Sequence, residues 1–403
     1  MDAVTEQRVV IVGAGLAGAG TAARLREQGF DGKIALVGAE PHRPYDRPPL
    51  SKDLLLGKAE SADLDFDFAA LGVDLLLGRA ATGVLTGERV LNTDAGPLPY
   101  DHLVLATGAE PVTLPGTGAL PGVHVLRTLA DARRLKPVLD ARGSVVAVGA
   151  GWIGAEVATA ARLAGCRVTV VEAAHQPLAG VLPAEVGAPM RRWYADAGAE
   201  LRTGHPVTAV RDGEVELADG TVLGADAVLV GIGSRPATGW LRDSGIPLEP
   251  DGSVRADAGL RTGVPGVYAV GDCASFPSAR YGRRLLVHHW DNALTGPSTV
   301  AAGILGGTAA HDPVPYFWSE QFGRYVQYAG YHEPADALVR RGDPAGGDAA
   351  WSVCWLREGV LRALLTVDRP RDLAQGRRLI ERATPLDPER VADPSVPLKA
   401  AAR

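Results

Sequence analysis

The fold of this chain is decided by two stretches, VVIVGAGLAG (9–18) and VVAVGAGWIG (145–154), which repeat one pattern. Each stretch begins with β-branched residues, which favour a buried strand, and passes directly into G-x-G-x-x-G. An Ala-rich segment follows in both copies and ends near a glycine, Gly29 or Gly165, as a helix does at its C-terminal cap. The repeat therefore predicts two strand–turn–helix units.

A second predicted strand follows each helix and leads to a carboxylate, Glu40 in KIALVGAE and Glu172 in RVTVVEAA. The first glycine of such a unit permits a tight turn, the second lets the backbone approach a pyrophosphate, and the third lets helix pack on strand. The N-terminus of the helix offers N–H groups to the phosphate, and the carboxylate accepts hydrogen bonds from ribose hydroxyls. Two complete units predict two dinucleotides, whereas a single G-x-G-x-x-G would be weak evidence.

Length and composition are typical of a soluble globular protein. The 403 residues are enough for two or three domains, with 46% hydrophobic and 22% charged residues. The net charge of −6 gives no general attraction to nucleic acid or to an anionic membrane. The N-terminus does not resemble a signal peptide, and no apolar run approaches the ~20 residues that span a bilayer. We therefore expect a cytoplasmic protein without nucleic-acid or membrane partners.

The three cysteines, Cys166, Cys273 and Cys354, lie far apart in the sequence. Because C-x-x-C is absent from the sequence, neither a zinc ribbon nor a thioredoxin-type redox pair is encoded locally. A disulfide scaffold is not expected either, which fits a reducing compartment. His288 and His289 have no evident third ligand nearby in the sequence, so we expect no metal site.

Further strand-like segments lie outside the repeat. YDHLVLATGA (100–109), DAVLVGIGSRP (226–236) and VYAVGDCA (267–274) each lead into a glycine-containing turn. Asp272 stands at the end of the last of these strands, where it is either a ligand of a ribityl chain or pyrophosphate-linked hydroxyl, or a turn residue. Short strands that alternate with turn signals over 204–232 predict a β-meander.

The composition changes near Tyr316, where aromatic residues begin to cluster. WSVCWLREG (351–359) and VLRALLTVD (360–368) are typical of two strands that flank a turn, so a small α+β C-terminal domain is expected. The tail after residue 383 is rich in proline, and we predict that it lies extended on the surface.

The chain resembles the flavin-dependent NADH–ferredoxin reductases of bacterial oxygenase systems, of the putidaredoxin reductase and biphenyl-dioxygenase ferredoxin reductase type. The motifs that carry the resemblance cover nearly the whole chain and, besides the first repeat, are PYDRPPLSK (44–52), LATGAEP (105–111), VGAGWIGAEVA (148–158), VGIGSRP (230–236), VYAVGDCA (267–274), WDNA (290–293) and FWSEQ (317–321). The resemblance implies an α/β fold with two Rossmann-like dinucleotide-binding domains on the glutathione-reductase-like plan, plus a small α+β C-terminal domain. It implies an FAD-binding domain at 1–113 and 240–315, an NADH-binding domain at 114–239 and the C-terminal domain at 316–403.

The resemblance also implies roles for individual residues. Glu40 and Glu172 would bind the adenosine riboses of FAD and NADH, and Asp272 the ribityl–pyrophosphate region. Lys52 would lie near flavin N5 and O4, and Trp290 would cover the pyrimidine end of the ring. The residues expected to bind FAD are Gly13, Gly15, Leu16, Ala17, Gly18, Glu40, Arg47, Lys52, Thr107, Gly108, Arg127, Asp272, Trp290 and Trp318. Those expected to bind NADH are Gly149, Gly151, Trp152, Ile153, Gly154, Glu156, Glu172 and Gly233.

Two of these residues are expected to be catalytic. The resemblance pairs Lys52 with Glu156, which would lie near the nicotinamide. A compact ammonium close to flavin N5 stabilises the charge that develops when a hydride arrives, and Lys52 is one of only 5 lysines beside 36 arginines. The sequence by itself leaves open a solvated surface lysine at 52 and a helix-dipole partner at 156.

The charge of Glu172 favours NADH, because a carboxylate would repel the 2′-phosphate of NADPH. No arginine or lysine occurs at 173–176 to compensate, although a protonated His175 would tolerate a phosphate. NADH is therefore the expected electron donor.

Electrons are expected to leave the flavin for a separate protein. Glutathione-reductase-like enzymes use a cysteine pair beside the flavin, and the three scattered cysteines here offer no such pair. We therefore expect hydride transfer from NADH to FAD, followed by single-electron steps to a [2Fe–2S] ferredoxin that serves a P450 or Rieske oxygenase. The protein is expected to be a monomer or a weak dimer.

Two positions depart from the family pattern. His288 stands where ferredoxin reductases usually carry Glu, and the pair His288–His289 is more like apoptosis-inducing factor. Pro297 would fall inside the family's helix near 292–305, although proline fits a helix only in its first turn. Thr295 is therefore the predicted N-cap.

The sequence leaves more than one electron acceptor open. Residues 285–323 hold no Lys or Arg, which leaves Arg283, Arg284 and Arg324 as a weak basic rim for an acidic ferredoxin. Two other functions stay open. One is an NADH-dependent flavin reductase of another acceptor, such as rubredoxin, a quinone or oxygen, and the other is a redox-sensing protein like apoptosis-inducing factor.

Overall fold

The computed structural model describes residues 6–118 and 120–403, which fall into two compact units. Unit 1 comprises Met1–Asp46, Asp63–Glu110 and Ser234–Pro315, and unit 2 comprises Arg47–Ala62, Pro111–Gly233 and Tyr316–Arg403. Unit 2 therefore joins the second repeat to the C-terminal part of the chain and to a short segment that follows the first repeat. The boundaries of the three domains inferred from the sequence stay a prediction.

Strands and helices alternate in both repeats, and strands dominate after residue 315. The strands are β1 (Arg8–Val12), β2 (Lys33–Gly38), β3 (Val73–Leu77), β4 (Ala81–Leu85), β5 (Val90–Thr93), β6 (Leu98–Pro99), β7 (His102–Leu105), β8 (Ala109–Pro111), β9 (Val123–His124), β10 (Ser144–Val148), β11 (Arg167–Glu172), β12 (Glu200–Thr203), β13 (Val207–Arg211), β14 (Glu214–Leu217), β15 (Val222–Gly224), β16 (Ala227–Val230), β17 (Ser234–Pro236), β18 (Val254–Arg255), β19 (Val267–Ala269), β20 (Ala274–Ser278), β21 (Arg283–Leu286), β22 (Tyr316–Gln321), β23 (Arg324–Gly330), β24 (Ala337–Arg341), β25 (Trp351–Arg357) and β26 (Val360–Val367). The α-helices are α1 (Leu16–Glu27), α2 (Leu129–Asp140), α3 (Trp152–Leu163), α4 (Ala184–Gly187), α5 (Arg191–Asp196), α6 (Trp290–Ile304), α7 (Pro370–Glu381) and α8 (Pro388–Ala392).

Unit 1 is built on a parallel sheet with the strand order β19-β7-β1-β2-β3. The central strand β1 pairs with β2 on one side and β7 on the other, so that Val10 lies beside both Ala35 and Leu103. Val10 and Leu103 are fully buried. A parallel strand that is covered on both faces carries a continuous apolar run, which explains the sequence of β1.

Helix α6 of unit 1 contains a proline in its interior. The helix begins at Trp290, with His289 as its N-cap, and Pro297 lies in its middle. The predicted N-cap at Thr295 is therefore wrong, and the Thr295 hydroxyl instead donates to the carbonyl of Asp291 at 2.8 Å. The reason is tertiary: α6 packs against α1, and a Cβ on Gly20 would lie only 3.2 Å from Cγ of Pro297. Helix packing outweighs the local penalty for proline.

The nucleotide-motif part of unit 2 has a second parallel sheet, with the strand order β12-β11-β10-β16-β9. The predicted β-meander is confirmed as the antiparallel sheet β13-β14-β15. Its buried residues Val215 and Leu217 pack on Val146, Val148 and other residues of the parallel sheet. The meander therefore covers one face of the sheet that carries the second motif.

The C-terminal part of unit 2 is an antiparallel sheet with the strand order β22-β23-β26-β25-β24, covered by α7. Strands β25 and β26 are joined by a tight turn in which Glu358 and Gly359 have φ of 51° and 76°. Positive φ at both central residues is typical of the hairpin turns that match the twist of the strands. The expected strands at 351–359 and 360–368, and the expected α+β domain, are confirmed.

The tail after residue 383 is packed into the fold, so the prediction of an extended surface segment is wrong. Leu386, Val391, Leu398 and Ala401 are each fully buried. The guanidinium of the buried Arg341 donates to the backbone carbonyls of three tail residues, which are Val391, Asp393 and Val396. A high proline content indicates a lack of regular secondary structure. It does not predict whether the tail makes apolar contacts, or whether an arginine elsewhere in the chain binds it.

The fold class is as predicted: two parallel α/β sheets, each with the strand–glycine turn–helix unit, and an α+β C-terminal part. Both repeat helices end at a glycine in the left-handed region, with φ of 92° at Gly29 and 90° at Gly165. Among the helices of the described chain, none is long and apolar enough to cross a membrane.

We expect the Leu398→Ala substitution to lower the free energy of unfolding by about 2–5 kcal/mol, because it leaves a cavity beneath the tail. The measurement is the thermal unfolding midpoint of the purified protein. Leu163→Ala is the matched control, because Leu163 is 69% exposed, and it should change stability by less than about 0.5 kcal/mol. Equal, small effects of the two substitutions would show that the tail is not packed.

Candidate functional site

The first glycine motif forms a turn in which two glycines touch backbone and one faces open space. A Cβ on Gly13 would lie 2.1 Å from the carbonyl oxygen of Ala106, and a Cβ on Gly18 would lie 1.9 Å from that of Gly13. A Cβ on Gly15 would meet no atom within 4 Å. The first and third glycines are therefore required by the fold itself, whereas the second opens the N-terminus of α1, at Leu16 and Ala17, to a phosphate-sized group.

The second motif has the same geometry. A Cβ on Gly149 would lie 2.4 Å from the carbonyl oxygen of Gly231, and a Cβ on Gly154 would lie 2.0 Å from that of Gly149. At Gly151 the nearest atom would be 3.9 Å away. Trp152 and Ile153 begin α3 directly after this glycine. Each unit therefore contains one turn that fits a pyrophosphate, and the turns come from the two motifs that the sequence predicted.

The carboxylate at the end of the neighbouring strand is oriented in both units. Glu40 follows β2 in unit 1 and accepts a hydrogen bond from the Tyr45 hydroxyl at 2.6 Å. Glu172 is the last residue of β11 in unit 2 and accepts from the backbone N–H of Ala150 at 2.8 Å and of Ala174 at 2.9 Å. Glu172 is thus held beside the glycine turn, where it would meet a ribose.

Basic residues that the sequence analysis did not consider lie near Glu172. The backbone N–H of His205 donates to the Glu172 carbonyl at 3.1 Å, and Arg202 lies on β12, the strand that pairs with β11. Both side chains have acidic partners, Asp219 for His205 at 3.2 Å and Glu200 for Arg202 at 2.7 Å. These pairs reduce the positive charge available to a 2′-phosphate.

Lys52 and Glu156 form an ion pair inside unit 2. Lys52 Nζ lies 2.6 Å from Glu156 Oε2, and the two side chains are only 16% and 6% exposed. The structure thus confirms the expected pair, and the alternative of a solvated surface lysine is wrong. Glu156 is the fifth residue of α3, beyond the first turn where a helix dipole acts most strongly.

Three further residues around this pair were not named from the sequence. Ser51 Oγ donates to Glu156 Oε2 at 2.5 Å, Ser319 Oγ donates to Glu156 Oε1 at 2.7 Å, and Gln321 Nε2 donates to Ser319 Oγ at 3.2 Å. Ser51 belongs to the motif PYDRPPLSK, and Ser319 and Gln321 to FWSEQ. The family motifs therefore contain these residues. The sequence alone does not show that the two serines contact Glu156, which is far away in the chain.

Arg47 and Arg127 are joined through one hydrogen bond in unit 2. Arg47 Nη1 donates to the Arg127 carbonyl at 2.6 Å. Arg127 immediately precedes Thr128, the N-cap of α2, whose hydroxyl accepts from the Asp131 N–H at 3.2 Å. The cap fixes the chain at Arg127 and, through it, the position of Arg47.

Strand ends in unit 1 bring Thr107 and Asp272 close to the first glycine turn. Thr107 and Gly108 follow β7, and the Thr107 nitrogen would lie 2.9 Å from a Cβ on Gly13. Asp272 follows Gly271, which has φ of 76° and whose Cβ would lie 3.0 Å from that of Ala17. Asp272 therefore stands next to the first turn of α1, and its role in binding a ribityl–pyrophosphate group stays a prediction.

Several polar side chains lie around the start of α6 in unit 1. Trp290 Nε1 donates to Asp46 Oδ1 at 2.7 Å, and His288 Nδ1 lies 3.1 Å from Ser234 Oγ. Burial lowers the pKa of His289 to about 4, although the nearby Asp272 charge acts in the opposite direction. His289 is therefore neutral near pH 7. Within residues 6–118 and 120–403, no group of three His, Cys, Asp or Glu side chains is arranged to hold a metal.

The predicted FAD residues are distributed over both units. Unit 1 holds the glycine turn, Glu40, Thr107, Gly108, Asp272 and Trp290, whereas unit 2 holds Arg47, Lys52, Arg127 and Trp318. Trp318 lies on β22, where its ring stacks on Tyr316 with the centroids 6.1 Å apart. All predicted NADH residues, including Gly233, belong to unit 2.

All three cysteines are buried and free. Burial raises the pKa of the Cys166 and Cys273 thiols and raises the pKa of Cys354 to about 12. Cys273 donates to the backbone carbonyl of Leu105 at 3.3 Å. None of the three forms a disulfide in this structure, and each thiol belongs to a buried residue.

Two of the three arginines predicted as a basic rim have local structural partners. Arg284 donates to the carbonyls of Ala256 and Ser275, both at 2.7 Å. Arg324 lies over the ring of Trp193 and pairs with Asp196 at 3.1 Å. The rim stays a prediction.

Comparison with known proteins agrees with this geometry. Residues 7–296 match the model of the pyridine nucleotide-disulphide oxidoreductases, and residues 316–402 match that of a reductase C-terminal domain. The chain belongs to the pyridine nucleotide-disulphide oxidoreductase family. Among curated relatives, it is 37% identical to rhodocoxin reductase of Rhodococcus erythropolis, over 98% of this chain and 94% of the relative. It is 35% identical to putidaredoxin reductase CamA of Pseudomonas putida, over 97% and 96%.

Solved structures of this family superpose along nearly the whole chain. The reductase in a covalent putidaredoxin reductase–putidaredoxin complex gives a TM-score of 0.93 at 34% identity, with 98% of this chain and 97% of that chain covered. The structure of Fdr9 gives a TM-score of 0.91 at 44% identity, with 97% and 99% covered. The expected family is therefore confirmed.

The glycines of the second motif should separate folding from nucleotide binding. We expect Gly151→Ala to fold normally, because φ at this position is −76° and a Cβ meets no atom closer than 3.9 Å, but to weaken NADH binding about tenfold or more. Gly154→Ala should instead lower the thermal unfolding midpoint, because its Cβ would collide with the Gly149 carbonyl. Calorimetric titration with NADH and thermal melts measure the two effects. Equal loss of stability in both variants would contradict this division.

Buried histidines of unit 1 should make stability depend on pH. Burial lowers the pKa of His311 to about 4, and its Nε2 lies 2.9 Å from Asn292 Oδ1. As pH falls from about 6.5 to about 4, the His311 imidazole is protonated in the unfolded chain but stays neutral in the folded chain. The free energy of unfolding therefore falls over this window, by on the order of 3 kcal/mol.

His311→Gln should therefore flatten the decrease of the unfolding midpoint between pH about 7 and about 4.5. The exposed His175→Gln is the control and should follow the unsubstituted protein. An unchanged slope in His311→Gln would contradict the assignment.

Proposed function

We propose that this protein is an NADH–ferredoxin reductase, a flavoprotein that takes electrons from NADH and delivers them through FAD to a [2Fe–2S] ferredoxin serving a P450 or Rieske oxygenase. The observation that carries the proposal is the pair of glycine turns, each with one open position at a helix N-terminus and a carboxylate at the end of the next strand. Relatives aligned over 96% and 97% of the chain are named as ferredoxin reductase components of dioxygenase systems.

Unit 1 is proposed to hold FAD. The open position at Gly15 and the N–H groups of Leu16 and Ala17 would bind the pyrophosphate, and Glu40 would bind the adenosine ribose. Asp272, beside the same helix turn, would bind the ribityl region. FAD, when bound, accepts an electron pair as hydride and releases electrons singly, which suits a one-electron iron–sulfur acceptor.

Unit 2 is proposed to hold NADH rather than NADPH. Glu172 is fixed by two backbone N–H groups, so its charge stays where a 2′-phosphate would have to bind. The basic side chains nearby, Arg202 and His205, are engaged by Glu200 and Asp219. Arg202 and His205 therefore only weakly compensate the repulsion of a 2′-phosphate by Glu172, and NADH is favoured.

Lys52 is proposed as the catalytic positive charge and Glu156 as the carboxylate that orients it. The 2.6 Å ion pair, largely removed from water, holds the ammonium in one place. A fixed charge that needs no reorganisation stabilises negative charge developing at a hydride acceptor better than a mobile lysine does. The burial of the pair also keeps bulk water away from the ammonium.

The acceptor is proposed to be a separate protein, because the three cysteines are buried, unpaired and have raised pKa values. A buried neutral thiol does not act as a nucleophile or electron relay. We place the protein in the cytoplasm, where such thiols stay reduced, and propose that it works as a monomer or a weak dimer.

The test is rapid mixing of the purified yellow protein with NADH or NADPH, followed by transfer to a panel of [2Fe–2S] ferredoxins. We expect NADH to reduce the flavin at least about tenfold faster than NADPH does, and some ferredoxins to be reduced much faster than oxygen. Lys52→Met should slow reduction by NADH about a hundredfold, because one preorganised charge is lost. The exposed Lys58→Met is the matched control from the same segment and should behave like the unsubstituted protein.

Three outcomes would count against the proposal. A colourless protein that takes up no FAD would remove its basis. Ferredoxins that are reduced no faster than oxygen would favour another acceptor, such as rubredoxin or a quinone. Slow NADH oxidation with a stable reduced complex would favour a redox-sensing protein.

A further inference from the structure

One face of α3 is bound by the strand that opens the C-terminal part of the chain. Trp152, Glu156 and Thr159 are spaced i, i+4 and i+7, and so lie on one side of the helix. The ring of Trp152 meets that of Phe317 edge-on at 4.5 Å between centroids, and the Phe322 N–H donates to Thr159 Oγ1 at 2.9 Å. Glu156 lies between these two contacts on the helix.

The contact in the middle of this face is a hydrogen bond from Ser319 to Glu156. Ser319 is 1% exposed, and its Oγ donates to Glu156 Oε1 at 2.7 Å. Gln321 Nε2 in turn donates to Ser319 Oγ at 3.2 Å. Because the hydroxyl accepts from the amide, its single proton is directed to the carboxylate. The hydrogen bond therefore has one direction.

The two oxygens of Glu156 have different partners. Oε2 accepts hydrogen bonds from Lys52 Nζ at 2.6 Å and Ser51 Oγ at 2.5 Å. Oε1 accepts a hydrogen bond from Ser319 Oγ. The terminal torsion of a glutamate is broad and roughly two-fold, so a carboxylate held on one oxygen rotates easily. A donor on the other oxygen restricts this rotation and fixes the plane of the carboxylate relative to Lys52.

We infer that Ser319 is a positioning residue for the reaction, acting through Glu156 on Lys52. The inference rests on the proposed function, since it assigns Ser319 to the same hydride-transfer site. It makes the C-terminal sheet part of the catalytic apparatus: strand β22 holds the carboxylate that holds the lysine. Ser319 itself is not expected to touch either dinucleotide.

The test compares Ser319→Val with Ser319→Thr, which have nearly the same shape and differ in the hydroxyl. Both β-branched residues suit a strand. Ser319→Val should lower the limiting rate of flavin reduction by NADH about tenfold, with the Kd for NADH within about twofold, because charge-assisted hydrogen bonds contribute at this scale. Ser319→Thr should retain most of the rate. Ser352→Ala is the matched control, because Ser352 is also buried in this sheet and its Oγ donates to a carboxylate, that of Asp372, at 2.9 Å.

A double-mutant cycle tests whether Ser319 acts through the lysine. In a Lys52→Met background, Ser319→Val should lower the rate by less than about twofold, because the group that it positions is gone. A full tenfold loss in that background would overturn the inference. So would equal losses in Ser319→Val and Ser352→Ala, which would indicate general destabilisation.

A crystal structure tests the inference independently of an activity assay. A crystal structure of Ser319→Val should show the Glu156 carboxylate rotated away from Lys52. If the Lys52 Nζ–Glu156 Oε2 distance stays near 2.6 Å, the inference fails. If the unsubstituted protein is not reduced by NADH at all, the proposed function fails instead, while the crystallographic comparison still decides whether Ser319 positions the pair.

Discussion

Close contact between two backbones is the constraint on which the rest of this structure depends. The carbonyl oxygens of Gly13 and Gly149 lie only 1.9 Å and 2.0 Å from where Cβ atoms of Gly18 and Gly154 would stand. Each helix is thereby pressed against the strand that precedes it, and its N-terminus is held at the carboxyl end of a parallel sheet. The neighbouring strand ends must then supply whatever surrounds that N-terminus, and in unit 1 they supply Thr107 and Asp272.

What could be predicted from the sequence was local. The strand, glycine turn, helix and carboxylate follow one another within about 35 residues, so their pattern specifies both their structure and their proximity. The Lys52–Glu156 pair came from the resemblance to a family, and no pattern within the chain identifies it. Ser319 was missed because it is 163 residues from Glu156, and only the folded sheet brings the two together.

The incorrect expectations share a physical reason. Pro297 and the tail after residue 383 were judged by local preference, and both are governed by tertiary contacts. Pro297 packs against Gly20 of α1, and the tail is bound through its carbonyls to the buried Arg341. Local propensity is overridden wherever the sum of burial and satisfied hydrogen bonds exceeds it.

The burial of every cysteine has a practical consequence for studying the electron acceptor. A thiol reacts with maleimides and cross-linkers as its thiolate, and burial with raised pKa values makes that form scarce at Cys166, Cys273 and Cys354. The native protein is thus nearly silent to thiol reagents under mild conditions. A single cysteine introduced at a surface position would be the one reactive handle, which allows the acceptor's footprint to be mapped by cross-linking without first removing any native residue.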